Sequence, residues 1–122
     1  MTVAAVTSAL ITRNAGVEDG AFVQIPTNDS CAVDAAKDDQ KIQIRIKNAI
    51  TNETHTAVIT KGNGLQGVAD LEIAIPQSKT YVTVVESGAF KQMSGDNKGK
   101  ILIKDKSTTN TNALQVAAVV LP

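Results

Sequence analysis

Aromatic side chains are nearly absent: two Phe, one Tyr and no Trp make up 2% of 122 residues. That removes the stacking platforms on which single-stranded nucleic acid and sugar rings are held. There is one Cys, so no disulfide can close within the chain. With one His beside it, a Cys/His zinc site lacks ligands. Neither sign of charge is in excess: Lys+Arg and Asp+Glu are equal at 12 each, for a formal net charge of zero. A protein that neutralises a phosphate backbone carries a basic surplus, so no nucleic-acid partner is expected. Long hydrophobic runs are missing too. Nothing approaches the roughly 18 apolar residues of a membrane-spanning helix, so no membrane partner is expected. The mildly apolar stretch 3–11 has no basic residue before it, and Arg13 comes after it, the reverse of a signal peptide. The expectation is mature sequence made in a reducing cytoplasm, with Cys31 a free thiol.

What is present is a period of two. Hydrophobic residues make up 43% and charged residues 20%, a globular balance. Residues 41–47 (KIQIRIK) put Ile42, Ile44 and Ile46 on one face and Gln43, Arg45 and Lys47 on the other. Residues 70–75 (DLEIAI) turn Leu71, Ile73 and Ile75 inward, and Pro76 ends that strand. Ile101 and Ile103 alternate with polar or flanking residues in 100–104. Residues 80–85 (TYVTVV) are rich in β-branched side chains. Weaker strands are read at 21–25 and 55–61, and a last one at 114–121. Turn signals separate them at 28–30, 52–54, 62–64 and 94–97. Strands about ten residues apart predict an antiparallel β-sandwich, jelly-roll or Ig-like, of seven to nine strands in a single domain. Residues 1–12 are a candidate N-terminal arm. Residues 32–41 could form one helical turn, and 107–112 (STTNTN) read as an exposed loop.

The final strand departs from the half-buried pattern. Leu114, Val116, Ala118 and Val120 face one way, and Ala117, Val119 and Leu121 face the other. A strand apolar on both faces is covered on both faces. The N-terminal stretch, with Val3 and Val6, is equally apolar without clear alternation. Two readings stay open: the termini pair and cover each other, or Ala117, Val119, Leu121, Val3 and Val6 form a subunit interface.

Candidate chemistry is sparse. His55 follows a turn and is read as a surface or edge residue, with no G-x-S-x-G elbow to make it part of a triad. Cys31 has no adjacent cation to activate it. Asp29, Asp34, Asp38 and Asp39 lack the spacing and the Gly of a calcium loop. Residues 62–67 spell G-x-G-x-x-G, but an alternating strand follows where a dinucleotide site needs a helix. The expectation is no catalytic residue, no metal and no cofactor.

The punctuation of residues 41–122 carries a resemblance. An Ile-rich strand ends in Asn48. Another closes with Lys61-Gly62-Asn63, and a Gly-bearing loop leads to Leu71-Glu72-Ile73-Ala74-Ile75-Pro76. A β-branched strand ends in Glu86-Ser87, Ala89-Phe90-Lys91 follows, and a short strand starts near Gly99. The last strand finishes on Leu121-Pro122. This resembles small all-β structural proteins encoded in the head regions of tailed bacteriophages and prophages, which decorate or cement capsids. The resemblance implies a place on the outer surface of the virion and no catalytic residues. It also implies the major capsid protein and copies of the chain itself as partners, a trimer being the first expectation. Tail or other virion-surface proteins, and β-sandwich adhesins or carbohydrate-binding modules, are the alternatives.

Overall fold

A computed structural model of the chain describes residues 3–26, 29–34, 42–64, 69–84, 87–107 and 113–121. Most of the helical turn expected within 32–41, the loop at 107–112 and the second half of the 62–67 glycine loop lie outside them.

The strongest alternation gives the longest strands. Residues of β5 (Ile42–Asn48) bury Ile42, Ile44, Ile46 and Asn48 and turn Gln43, Arg45 and Lys47 the other way. Antiparallel beside it runs β10 (Leu114–Val120), in a register that sets Val116 opposite Ile46 and Ala118 opposite Ile44. The far side of β5 carries β8 (Thr80–Thr83). The far side of β10 is shared by two short strands, β2 (Ala9–Leu10) and β3 (Val23–Gln24). The other sheet runs β1 (Ala4–Val6), β4 (Ser30–Asp34), β9 (Lys100–Asp105), β6 (His55–Ile59), β7 (Leu71–Ile75). A single helical turn, α1 (Ser87–Phe90), lies between β8 and β9.

The protein is thus all-β apart from that turn, with two five-stranded sheets among the described residues. One face of each contributes to a common core. Val33, Ile59, Ile75, Ile101 and Ile103 come from one sheet, and Ile44, Ile46, Leu114 and Val116 from the other. All of these are essentially inaccessible to solvent. The expected core residues Leu71 and Ile73 pack against this cluster but are only partly buried, because β7 is an edge strand.

Two expectations need correction. Among the described residues ten strands are present, not seven to nine, and the sheets are mixed, not antiparallel. β1 runs parallel to β4, and β2 runs parallel to β10. Both parallel pairs come from the first ten residues, where strands of three and two residues are too short to display a period. The candidate arm is therefore built into both sheets: the chain leaves one after Val6 and joins the other at Ala9. The third unforeseen strand, β4, was masked by its small side chains and flanking acids, yet Cys31, Ala32 and Val33 are all buried.

Ile44 is fully buried in the centre of β5, between β10 and β8. Truncation to Ala removes its transfer energy and leaves a cavity, so Ile44→Ala is expected to lower unfolding stability by about 2–5 kcal/mol. Glu72→Ala, which removes only the exposed Lys106–Glu72 ion pair, is expected to change it by less than about 1 kcal/mol. Urea unfolding of both variants checks the contrast.

Candidate functional site

The five residues expected at an interface do not form an exposed surface. Ala117 is 0% and Val119 2% exposed, and Val6 is also buried. Val3 and Leu121 are half-buried. Ala117 and Val119 do point away from the core, and residues 11–22 run over them. Across β10, Ala117 sits opposite Arg45 and Val119 opposite Gln43, on the face away from the core. The Arg45 guanidinium meets Asp19 at 3.2 Å, and the Lys47 ammonium lies 5.6 Å from the Phe22 ring centroid. The connection from β2 to β3 therefore crosses this outer face. Such a cation–π contact is worth about 0.5–1 kcal/mol at an exposed site. Gly20 permits the close crossing: a Cβ there would come within 2.5 Å of the Ala118 carbonyl oxygen. The termini do pair, with Val119 beside Ala9 and Val120 beside Leu10.

The chemistry-bearing residues gather elsewhere, at one end of the core. His55 is only 2% exposed, not a surface residue. Its Nδ1 lies 2.8 Å from Asp105 Oδ2 and its Nε2 2.5 Å from Glu53 Oε1. The Asp105 side chain is itself buried and accepts a further bond from the Ser107 amide at 3.0 Å. An ionised carboxylate can only accept, so both contacts are satisfied together when both ring nitrogens carry hydrogen. Alongside, Asn48 is fully buried at the end of β5. Its Nδ2 donates to the carbonyls of Glu53 and Ile75, both at 3.0 Å, and its Oδ1 accepts from the Ile50 amide. These bonds tie the β5–β6 turn to the end of β7.

This arrangement constrains what His55 can do. A general base needs one ring nitrogen free toward a substrate or a nucleophile, and here each nitrogen is engaged by a carboxylate. The two acids lie on opposite sides of the ring, so no single point is in ligand reach of all three. Among the described residues, no group of three His, Cys, Asp or Glu is arranged to hold a metal. Cys31 is equally enclosed: its Sγ touches the Val23 and Gln24 carbonyls at 3.6 Å. Burial pushes its thiol pKa up to about 12, which suppresses the reactive thiolate at neutral pH.

The remaining sequence motifs are local. Gly62 and Asn63 pack against α1 and the segment after it: the Gly62 amide donates to the Ala89 carbonyl at 2.8 Å, and the Met93 amide to Asn63 Oδ1 at 2.6 Å. Asp29 and Asp34 flank β4, while Asp38 and Asp39 lie outside the described residues. No described helix is long and apolar enough to cross a membrane. No protein family, curated protein or solved structure matches the chain.

Exposed apolar side chains occur at Leu10, Val17, Phe22 and Met93, and three more lie within four residues on β8 and just beyond it: Tyr81 is 42%, Val82 55% and Val84 53% exposed. Sequence reading identified this strand but could not tell that it lies at an edge.

Two outcomes are expected. His55→Ala leaves the buried Asp105 side chain without its ring-nitrogen partner and should cost about 1–3 kcal/mol in urea unfolding. For Cys31, the folded pKa of about 12 lies above the ordinary value of 9.0. Its contribution to stability is therefore complete below pH 9 and declines as pH rises towards 12. Stability measured across that range should fall less steeply in Cys31→Ala than in wild type, and the native thiol should resist Ellman's reagent at pH 8 until the protein is unfolded.

Proposed function

We propose that this chain is a β-sandwich structural protein of a tailed-phage virion, a head decoration or cement protein that binds the assembled capsid. The observation that carries the reading is the uncharged edge strand at the margin of a small all-β unit, where Val82 and Val84 are exposed on the outer face and Tyr81 on the other. Single exposed apolar residues are ordinary, but an unprotected apolar edge is a place to meet another protein. The resemblance of residues 41–122 to phage head proteins supports the same assignment. So does the structural engagement of His55 and Cys31, the two residues from which covalent chemistry would most readily be built.

On this reading the two sheets stack face to face, and the chain sits on the outer surface of the shell against the major capsid protein. Each bound copy adds interface area between capsomers. Burial of one Val- or Leu-sized side chain contributes roughly 1.5–3 kcal/mol, less the entropy cost of association. Summed over a shell, these contacts oppose the outward pressure of packaged DNA. Synthesis occurs in the host bacterial cytoplasm before attachment.

The test is co-sedimentation of the purified chain with heads of the encoding phage that lack it. Saturable binding in a fixed ratio to capsid protein is expected, together with greater resistance of the heads to heat. Binding to tails alone would move the protein to the tail. Binding on a glycan array with none to particles would replace the virion reading by a carbohydrate-binding module.

A further inference from the structure

We propose that β8 is a self-pairing edge, by which two copies of this chain join their sheets antiparallel about a two-fold axis through Val82. The inference does not rest on the virion reading, and the purified chain alone tests it.

Hydrogen-bond parity fixes which groups are on offer. The Asn48 amide donates to the Lys79 carbonyl at 2.9 Å, so this opposed pair is a hydrogen-bonded one. Opposed residues in an antiparallel ladder alternate between bonded and non-bonded pairs. Tyr81 opposite Ile46 and Thr83 opposite Ile44 therefore bond to β5. The N–H and C=O groups of Thr80 and Val82 are aimed away from it. Among the described residues no strand lies on that side.

The other edges are defended and this one is not. β7 is bounded by Asp70 and Pro76 and carries the exposed Glu72. β1 touches β3 and β10 of the other sheet, and β2 and β3 are two residues long. Charges, Pro and short length are the usual protections of an open edge. Residues 80–84 hold no charge and no Pro.

A second copy fits the strip. A two-fold axis at Val82 sets Val82 against its own image, Tyr81 against Thr83 and Thr80 against Val84. The outward amides of Val82 then meet each other in a bonded pair. Tyr81 gains an aromatic–β-branched neighbour, a favourable cross-strand combination. Lys79 is the nearest charge before the strip, and its two copies fall at opposite ends, about 20 Å apart at 3.4 Å per residue. That exceeds the roughly 8–10 Å screening length, and a formal net charge of zero adds no long-range repulsion. The contact is small: five residues a side, against roughly 20–30 in a standard stable interface. It joins copies in pairs, weakly, and favours sites where copies are already crowded. The threefold arrangement expected from the resemblance would need a different surface.

Sedimentation velocity over a concentration series reads the pairing. The wild-type average mass should climb from one chain towards two between about 10 μM and 1 mM, the weak range typical of small contacts. Val82→Glu sets a carboxylate opposite Arg45 of its own chain, which the fold accommodates, and opposite its own image across the axis, which pairing does not. Its dimer affinity should drop about tenfold or more, with thermal unfolding unchanged. As a second measure, Val82→Cys should form an intermolecular disulfide quickly on oxidation, since bonded antiparallel pairs place Cα atoms about 5.5 Å apart. Thr80→Cys should not, because its image lies about four residues away along the strand. Wild type that stays monomeric to about 1 mM overturns the proposal. So does self-association that Val82→Glu leaves intact, or equal cross-linking of the two Cys variants.

Discussion

Ala117 and Val119 lie on the face of β10 opposite the core, and keeping them from water sets the path of residues 3–22. One face of β10 is filled by the core that both sheets share. The other can be closed only by chain that leaves the sheets and crosses back. The N-terminal segment does this in stages. β1 pairs in one sheet, β2 pairs in the other beside the end of β10, and the connection to β3 then crosses the outer face under the Asp19–Arg45 and Phe22–Lys47 contacts. Gly20 matters here because the backbone passes too near the Ala118 carbonyl for any side chain. The parallel pairings follow from the same path: the chain enters each sheet alongside β4 or β10 in the direction those strands already run.

The polar end of the core answers a different constraint. Where β5 and β9 run out of apolar residues, the interior still has to be closed without stranding polar groups. Asn48 does so by making three bonds with one amide. His55 does so with a carboxylate at each ring nitrogen. A buried polar group without a hydrogen-bond partner is costly, and here each ring nitrogen has a carboxylate within hydrogen-bond distance. The cluster fixes the β5–β6 turn against β7 and β9, and in doing so consumes the one side chain best suited to acid–base catalysis.

The sequence was most readable where the signal is local. Alternation in 41–47 and 100–104 put Ile42, Ile44, Ile46, Ile101 and Ile103 inside, and all five are buried. A strand of two or three residues displays no period, which is why β1 and β2 were not separable from a loose arm. β4 was hidden for a related reason: Cys31, Ala32 and Val33 are too small to make a hydrophobic stripe between Ser30 and Asp34. The burial of His55 was not readable because Asp105, which explains it, lies fifty residues away in sequence. Likewise the apolarity of 114–121 was plain, but whether a partner or the chain itself covered it depended on a connection with no distinctive composition.

The same limit applies to β8, and the physical consequence is larger there. As sequence, TYVTVV looks like any interior strand, because β-branched residues are favoured wherever a pleated surface is covered. Topology alone makes it an edge. At an edge those residues leave their backbone groups unprotected by charge, in a protein whose net charge is zero. Two molecules approaching along this side meet neither long-range repulsion nor a charged side chain on the strip itself. Burying the Val82 and Val84 side chains would relieve an exposure that the fold leaves uncorrected, whereas Ala117 and Val119 are already satisfied within one chain. The self-pairing proposed above uses the strand whose apolarity the chain does not itself cover, and strand apolarity alone is not enough to locate such an edge.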